Sequence, residues 1–145
     1  MTSAALPDPQ TAFGRRVRER LRDDALIWLS TVGQDGTPQP NPVWFLWEDG
    51  SVLVYNLPSA HRLTHIRHRP RVSLHFNSGA SGGDIVVLRG TATPVDDAPP
   101  PHEHPAYLEK YRVGMVHVSG SPEAFGAQFP AALRIDVTRV RGFME

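Results

Sequence analysis

The chain of 145 residues suits one compact domain, and this length is enough to bury a substantial hydrophobic core. Fifteen basic and fifteen acidic residues give a formal net charge of zero, so no overall field draws the protein to nucleic acid or to an anionic membrane. The lack of cysteine excludes disulfides, thiolate metal sites and a cysteine nucleophile, as is usual for a cytoplasmic protein. No apolar run approaches a membrane span. We therefore predict a cytoplasmic domain with no nucleic-acid or membrane partner.

Residues 1–10 show no pattern of a regular element, and we predict a flexible tail followed by a single domain over residues 11–145. Phe13, Val17 and Leu21 lie four residues apart among arginines, which predicts an amphipathic helix. The mostly apolar segment 25–32 predicts the first strand, and the "GQDG" that follows it predicts a turn. The chain from Thr37 onward is therefore expected to return antiparallel to that strand.

The returning strand has two unusual features. Pro38, Pro40 and Pro42 occupy alternate positions, so three successive backbone N–H donors are missing on one side of the strand. Such a side is either a sheet edge or the place where a barrel splits open. The next five residues, "VWFLW" at 43–47, are all apolar, which predicts that both faces of the strand are covered. The N-terminal helix, a second subunit or a flat ligand would each serve as the cover.

The middle of the chain alternates between strands and one short helix. "EDG" at 48–50 predicts a turn, and the apolar segment 51–56 predicts a strand. Ser59 is the predicted cap of a short helix, which Pro70 ends. Segments 71–77 and 84–95 predict two further strands on either side of a glycine-rich loop, and Gly90 predicts a bulge or a close backbone approach.

The C-terminal third begins with a proline-rich connector and ends with a strand. A helix with Tyr107, Leu108 and Tyr111 on one side is predicted after the connector, and Ser121 is the predicted cap of a second helix. The final segment, 131–138, alternates between apolar and polar residues, as a half-buried strand does. In total the sequence predicts about six strands and three or four short helices. Tight turns between consecutive strands favour an antiparallel sheet that closes into a small barrel.

The stretch between Asp49 and Asp84 contains no acidic residue but carries several arginines and histidines, so it is locally cationic. The predicted start of its helix offers free N–H groups and a positive dipole end to a phosphate. Ser59, His61 and Arg62 are the candidate ligands there, with Arg62 able to make a bidentate contact. A solvated basic helix without any ligand is the alternative interpretation.

Two histidine patterns are considered as metal ligands. His61, His65 and His68 share one face of the predicted helix, but no carboxylate lies nearby in the sequence. "HEH" at 102–104 lies in the proline-rich connector. We therefore predict no metal site.

Three segments, in this order, resemble the pyridoxamine 5'-phosphate oxidase-like superfamily: "PVWF" at 42–45, "RHRPRVSL" at 67–74 and "RVRGF" at 139–143. The likeness extends over most of the chain from Ala25 to Phe143 and is closest to the deazaflavin-dependent branch, the oxidoreductases that use coenzyme F-420. The resemblance implies a mainly β fold, a split β-barrel of the FMN-binding type with short flanking helices. It also implies a homodimer with a flavin-like ring at the subunit interface and its phosphate in a basic pocket.

The resemblance also implies which residues bind the cofactor. Those at the ring would be Asn41, Pro42, Val43 and Trp44, and those at the phosphate end would be Tyr55, Ser59, His61 and Arg62. Arg139, Arg141 and Phe143 would reach the site from the same or the other subunit, and Asn77 is a further candidate. The chain departs from many relatives in having Arg62 where they have lysine and His65 where they have asparagine.

The implied activity is the transfer of a hydride from reduced coenzyme F-420 to a small unsaturated or conjugated acceptor. An FMN-dependent oxidoreductase on the same fold is one alternative, because both cofactors combine a flat ring with a phosphate. A protein that binds or carries a cofactor or another anionic ligand without turnover is the other. The sequence assigns no catalytic acid or base; solvent, Tyr55 and a histidine are the candidate proton donors.

Overall fold

The structure is a computed structural model that describes residues 5–145, and the first four residues of the predicted tail lie outside the described part. Ala5 and Leu6 pack against the hydrophobic core. Within the described residues the chain forms four helices: α1 (Ala12–Asp23), α2 (His61–His68), α3 (Pro105–Ser119) and α4 (Pro122–Gln128). It also forms seven strands: β1 (Ile27–Val32), β2 (Pro38–Val43), β3 (Leu46–Glu48), β4 (Ser51–Asn56), β5 (Arg71–His75), β6 (Ile85–Val95) and β7 (Ala131–Phe143).

The seven strands form one antiparallel sheet in the order β2-β1-β5-β6-β7-β4-β3. The two edge strands, β2 and β3, follow each other in the chain and are separated only by Trp44 and Phe45. The sheet therefore curls until its two edges meet at one short segment, which we call the split. This mainly β architecture, a curled sheet with four helices, is the predicted split β-barrel. The single strand expected over 37–47 is two strands, β2 and β3, because the chain breaks at the split.

The three prolines lie on β2 at the free edge of the sheet. Pro38, Pro40 and Pro42 have Val32, Ser30 and Trp28 of β1 as their Cα partners, at alternate positions of the ladder. Antiparallel ladders alternate between residues that bond to the neighbouring strand and residues whose N–H points away from it. Proline is tolerated at the second kind of position on an edge. The predicted edge is confirmed.

The backbone at the split obtains its hydrogen bonds from α3 instead of from a strand. The amide of Phe45 donates to the Tyr111 hydroxyl at 3.0 Å, and the Lys110 ammonium donates to the Phe45 carbonyl at 3.0 Å. The Tyr111 hydroxyl also lies 2.7 Å from the Ala25 carbonyl and 3.0 Å from the Phe45 carbonyl, either of which can accept its proton. Because buried backbone groups are costly to leave unpaired, these two side chains stabilise the interrupted ladder.

The hydrophobic residues form two clusters. The barrel core is mostly aliphatic and lies inside the curled sheet; its fully buried members include Val17, Leu21, Ile27, Leu29, Phe45, Leu74, Leu88, Leu133 and Ile135. The aromatic cluster lies between β4 and the helices α3 and α4; it contains Leu53, Tyr55, Tyr107, Tyr111, Met115, Phe125 and Ala132, with Trp44 and Phe129 packed against it.

The predicted cap of α2 is wrong. This helix begins at His61, and its N-cap is Ala60, which makes no side-chain capping bond. Ser59 lies one position too early to accept an N–H of the first turn. By contrast, Ser121 caps α4 as predicted, since its hydroxyl accepts the Ala124 amide at 3.1 Å. The predicted bulge is also confirmed: the β6–β7 register shifts between Arg89 and Gly90.

Candidate functional site

An apolar pocket of about 250 Å³ lies beside the split, between the barrel and the helices α2, α3 and α4. We call it the aromatic pocket. It is lined by Leu26, Pro42, Val43, Trp44, Tyr55, Arg62, Tyr107, Val118, Phe125 and Phe129. Five of these, Pro42, Val43, Trp44, Tyr55 and Arg62, are residues that the sequence analysis assigned to cofactor binding.

Trp44 is held in place by the helices. Its ring stacks on Tyr111, with centroids 4.6 Å apart and planes 2° apart, and on Phe125, at 5.1 Å and 14°. A Cβ atom on Gly114 would lie only 2.7 Å from the Trp44 ring, so this glycine allows the close contact. The neighbours Val43 and Phe45 are buried in the barrel core. The second apolar face of the segment is therefore covered at Trp44 by α3 and α4 rather than by α1.

Among residues 5–145, Arg62 is the only charged residue that lines the aromatic pocket. Its Nε donates to Oδ1 of Asn56 at 2.5 Å. Asn56 is fully buried, and its Nδ2 donates to the carbonyls of Val54 and Ala131, which fixes the orientation of the amide. No carboxylate in the described part of the chain pairs with Arg62. Burial lowers the pKa of Arg62, but an arginine remains cationic at neutral pH.

A half-buried cation without an anionic partner is costly in an apolar environment. The Asn56 oxygen satisfies one N–H of the Arg62 guanidinium and leaves the rest of its donors without a charged acceptor. The pocket therefore combines flat apolar walls with one cation that lacks a counter-ion. This combination suits a planar ligand that carries an anionic group.

The hydroxyl of Tyr55 is already engaged. It donates to the Pro99 carbonyl at 2.5 Å, and its ring meets that of Tyr107 edge-on at 4.8 Å. Burial, together with the nearby Glu48 carboxylate, raises the pKa of Tyr55 to about 12. At neutral pH this side chain is a protonated wall of the pocket whose proton points at the backbone.

The other predicted site residues lie elsewhere on the subunit. Ser59 and His61 line a separate cleft of about 360 Å³, together with Arg67 and Ala131. Arg62 does not line this cleft, so one subunit does not bring the three predicted phosphate ligands into one cavity. Asn41 is exposed on the edge strand β2, next to the pocket.

The candidates from the C-terminal strand and from the glycine loop lie on the outer face of the sheet. Asn77 accepts the indole N–H of Trp28 at 2.8 Å. Arg139 lines a cleft on this face, and Arg141 is the Cα partner of Val87 on β6. Phe143, at the end of β7, is 55% exposed.

The described residues contain no group of three or more histidine, cysteine, aspartate or glutamate side chains placed to hold a metal ion. His65, one of the three histidines on α2, shares a hydrogen bond with the Thr31 hydroxyl at 2.8 Å. Among the helices of residues 5–145, none is long and apolar enough to cross a membrane.

Comparison with known proteins identifies the family. The family model of pyridoxamine 5'-phosphate oxidase matches residues 13–143, nearly the whole chain. The protein belongs to this family. No curated protein matches the sequence.

Several solved structures resemble the chain in fold at low sequence identity. A conserved hypothetical protein from Mycobacterium tuberculosis is 20% identical with a TM-score of 0.72, over 99% of this chain and 89% of the other. An F420 reductase is 22% identical with a TM-score of 0.65, over 86% of this chain and 94% of the other. An FAD-binding protein from Mesorhizobium loti is 20% identical with a TM-score of 0.61, over 87% and 88%. At these identities the likeness shows the shared fold.

Several residues of the aromatic pocket in this member of the family were not assigned from the sequence. Tyr107 was predicted on one face of a helix, but not at the site. Phe125 and Phe129 lie four residues apart in "SPEAFGAQF", a spacing that places both on one side of α4. That spacing was the available signal; the contact with Trp44 depends on how α3 and α4 pack, which no local pattern shows.

Proposed function

We propose that this protein is an oxidoreductase that binds coenzyme F-420 and passes a hydride from the reduced cofactor to a small unsaturated or conjugated acceptor. The observation that carries the proposal is the aromatic pocket at the split, in which Arg62 is the single cation from the described part of the chain. Membership of the pyridoxamine 5'-phosphate oxidase family and the fold shared with an F420 reductase support a flavin-type cofactor.

In this arrangement the flat ring lies along Pro42, Val43 and Trp44, where the free edge of β2 offers backbone groups. The guanidinium of Arg62 binds the phosphate by charge-assisted hydrogen bonds, while Asn56 holds it in position. When bound, the cofactor supplies the hydride chemistry. The residues of the chain orient the ring, exclude water and stabilise the negative charge.

The pocket volume of about 250 Å³ is smaller than the roughly 300–1,000 Å³ of typical small-molecule sites, so part of the cofactor must extend beyond one subunit. Two residues that line the pocket, Leu26 and Val118, are 44% and 52% exposed. Val113 and Val116 on the same helix as Val118 are exposed as well. We infer that a second copy of the chain covers these residues and completes the site, as in a homodimer.

No side chain of the pocket is available as an acid near neutral pH. The Tyr55 proton is donated to the Pro99 carbonyl, and burial raises the pKa of Tyr107 far above its ordinary value. Arg62 is occupied with charge stabilisation. Solvent therefore supplies the proton that follows hydride transfer, and no catalytic residue is assigned.

FMN is the second candidate cofactor, because its flat ring and phosphate satisfy the same walls and the same cation. Equilibrium titration of the purified protein with F-420 and with FMN, followed by absorbance and fluorescence, separates the two. We expect tighter binding of F-420. If FMN binds more tightly, FMN becomes the proposed cofactor in place of F-420. If the protein binds neither, the proposed function is rejected.

Arginine variants test where the phosphate binds. Arg62→Ala removes a charge-assisted contact worth about 1.5–3 kcal/mol, so the affinity should fall by about 10- to 100-fold. Arg112→Ala removes an exposed arginine of α3 and serves as the matched control, with an affinity within about twofold of wild type. Arg67→Ala tests the neighbouring cleft of Ser59 and His61. A large loss with Arg67→Ala and none with Arg62→Ala would place the phosphate there instead.

Turnover distinguishes an enzyme from a carrier. Reduced cofactor bound to the protein should be oxidised in a single turnover by at least one member of a panel of conjugated acceptors, faster than free cofactor under the same conditions. A bound cofactor that no acceptor oxidises faster than in solution would favour the carrier.

A further inference from the structure

A second cleft, of about 340 Å³, lies on the outer face of the sheet, over β5, β6 and β7. We call it the arginine cleft. It is lined by Arg71, Val72, Arg89, Gly90, Thr91, Thr138 and Arg139. It shares no lining residue with the aromatic pocket. The cleft is thus a separate feature of the subunit, and the described residues that line it include three cations and no acid.

The three arginines carry like charges at neighbouring positions of the sheet, which is unfavourable when no anion is bound. Arg89 of β6 and Arg139 of β7 are direct Cα partners in the antiparallel ladder. Like charges directly opposite each other destabilise a strand pair. Arg71 on β5 is paired with Thr91, two residues from Arg89 on β6, so the third cation lies on the neighbouring diagonal. Three neighbouring strands therefore bring positive charge to one cleft.

No ion pair within residues 5–145 neutralises this charge. The guanidinium groups of Arg71, Arg89 and Arg139 form no ion pair and donate no hydrogen bond among residues 5–145. Strands β5 and β6 contain no acidic residue. The single acid of β7, Asp136, is the Cα partner both of Thr91 on β6 and of Ser51 on β4, and its carboxylate accepts the Ser51 hydroxyl rather than an arginine of the cleft. In a protein of zero net charge, the cleft is a local excess of positive charge.

The bulge shapes the floor of the cleft. Gly90 brings the β6 backbone close to β7, and a Cβ there would lie 2.6 Å from the Asp136 carbonyl. Thr138 has no Cα partner in the register, and its hydroxyl donates to the Arg89 carbonyl at 3.2 Å. The ladder is thus interrupted beneath the arginines, and the exposed side chain of Thr91 adds a hydroxyl donor to the lining.

We propose that the arginine cleft binds a small ligand that carries a diphosphate or a similarly multiply charged phosphate group. Guanidinium groups bind phosphate oxygens through paired, parallel hydrogen bonds, and a single phosphate would fill only a small part of the volume. Binding supplies the negative charge that the Arg89–Arg139 pair lacks. On one subunit the cleft shares no lining residue with the aromatic pocket, and of its three arginines only Arg139 is also a cofactor candidate.

The test is calorimetric titration with inorganic pyrophosphate at low ionic strength. Wild type should bind pyrophosphate, and added salt should weaken the binding. The double variant Arg71→Ala with Arg89→Ala, which leaves the cofactor candidate Arg139 in place, should lose about 100-fold in affinity or more. Arg71→Lys with Arg89→Lys keeps the charge but removes the planar fork, and should lose about 5- to 10-fold. Arg112→Ala is the control and should bind as wild type does.

Two readouts keep the outcome unambiguous. Circular dichroism establishes that each variant is folded; if the alanine pair is not, the lysine pair decides the test. Light scattering reports the oligomeric state. The proposal is overturned if wild type does not bind pyrophosphate. It is also overturned if the lysine pair, the alanine pair and wild type all bind pyrophosphate equally well. Dissociation of the oligomer in the alanine pair, without a pyrophosphate site in wild type, would mean that acids of a second copy face the arginines.

Cofactor titration separates this site from the proposed function. The alanine pair should bind F-420 or FMN within about twofold of wild type, while Arg62→Ala should retain its affinity for pyrophosphate. If the alanine pair instead lost the cofactor, and the cofactor displaced pyrophosphate, the cleft would be part of the cofactor site and the second site would not exist. If no cofactor bound but pyrophosphate did, only the proposed function would fail.

Discussion

The barrel core and the aromatic cluster bury the two opposite faces of β4, and they do so with different kinds of side chain. Val52 and Val54 point into the barrel core, which is mostly aliphatic. Leu53 and Tyr55 point to the other side, into a cluster rich in tyrosine and phenylalanine. All six residues of β4 are buried as a result.

The two clusters are expected to contribute differently to the stability of the fold and to ligand binding. Aliphatic side chains fill the interior of the sheet by shape alone. The aromatic cluster contains hydroxyl groups, one of which serves the backbone at the split, and the pocket lies on this side. Substitutions in the barrel core should therefore affect folding, whereas substitutions in the aromatic cluster should affect folding and binding together.

The largest effect on stability is expected in the barrel core. Leu88 is fully buried on β6, and Leu88→Ala leaves a cavity as well as removing apolar surface. The free energy of unfolding should fall by about 2–5 kcal/mol in urea denaturation. Cofactor affinity of the folded fraction should stay within about twofold of wild type. A large loss of affinity without a loss of stability would contradict the separation of the two clusters.

A smaller loss of stability, combined with a loss of binding, is expected at the split. Tyr111→Phe removes the hydroxyl that accepts the Phe45 amide and lies against two carbonyls. Leaving such buried groups unpaired costs about 1–3 kcal/mol, measured by the same denaturation. The phenylalanine ring keeps the stack on Trp44, but the backbone of the split, which borders the pocket, loses its hydrogen bonds, so cofactor affinity should also fall. Unchanged affinity would show that the hydroxyl serves the fold alone.

The two serines at helix starts provide a matched pair with a still smaller effect. Ser121 caps α4, and Ser121→Ala should cost about 1 kcal/mol of unfolding free energy. Ser59 makes no cap of α2, so Ser59→Ala should cost less than about 0.5 kcal/mol. Both variants are measured by thermal and urea denaturation. If Ser59→Ala loses as much unfolding free energy as Ser121→Ala, Ser59 does cap its helix.

A further effect is a pH dependence from Lys110, which lies over the Phe45 ring at 3.8 Å. Burial lowers the pKa of Lys110 to about 8, so between about pH 8 and 10.5 the unfolded chain holds a proton that the folded chain lacks. The stability of wild type relative to Lys110→Met should therefore rise with pH across that window. The buried tyrosines, whose pKa values are raised, act in the opposite direction above pH 10 and cancel in the difference. If the difference in unfolding free energy between wild type and Lys110→Met does not change with pH, the pKa of Lys110 is not lowered.

The sequence predicted those features that depend on local chemistry. Alternate prolines identified the edge strand, Gly90 identified the bulge, and Ser121 with its proline and acid identified the start of α4. These are constraints of the backbone, and they hold whatever the rest of the chain does. The shared family motifs then added the split barrel, which no single element specifies.

Features that depend on the packing of distant segments were not predictable in this way. Ser59 lies one residue before the N-cap of α2, an offset that the pattern does not determine. Which way Arg62 points depends on the buried Asn56 of β4. The role of Tyr111 at the split requires α3 to pack across Phe45, a contact between residues 66 positions apart.

The most direct test of the cofactor pocket uses Trp44 itself as the reporter. With Trp28→Phe and Trp47→Phe introduced together, Trp44 is the only tryptophan of the chain, and it lines the pocket. Titration with F-420 should quench the emission of Trp44 with the same dissociation constant that the cofactor's own fluorescence reports, and Arg62→Ala should weaken both signals equally. Saturable cofactor binding that leaves the Trp44 emission unchanged would contradict a cofactor site in the aromatic pocket.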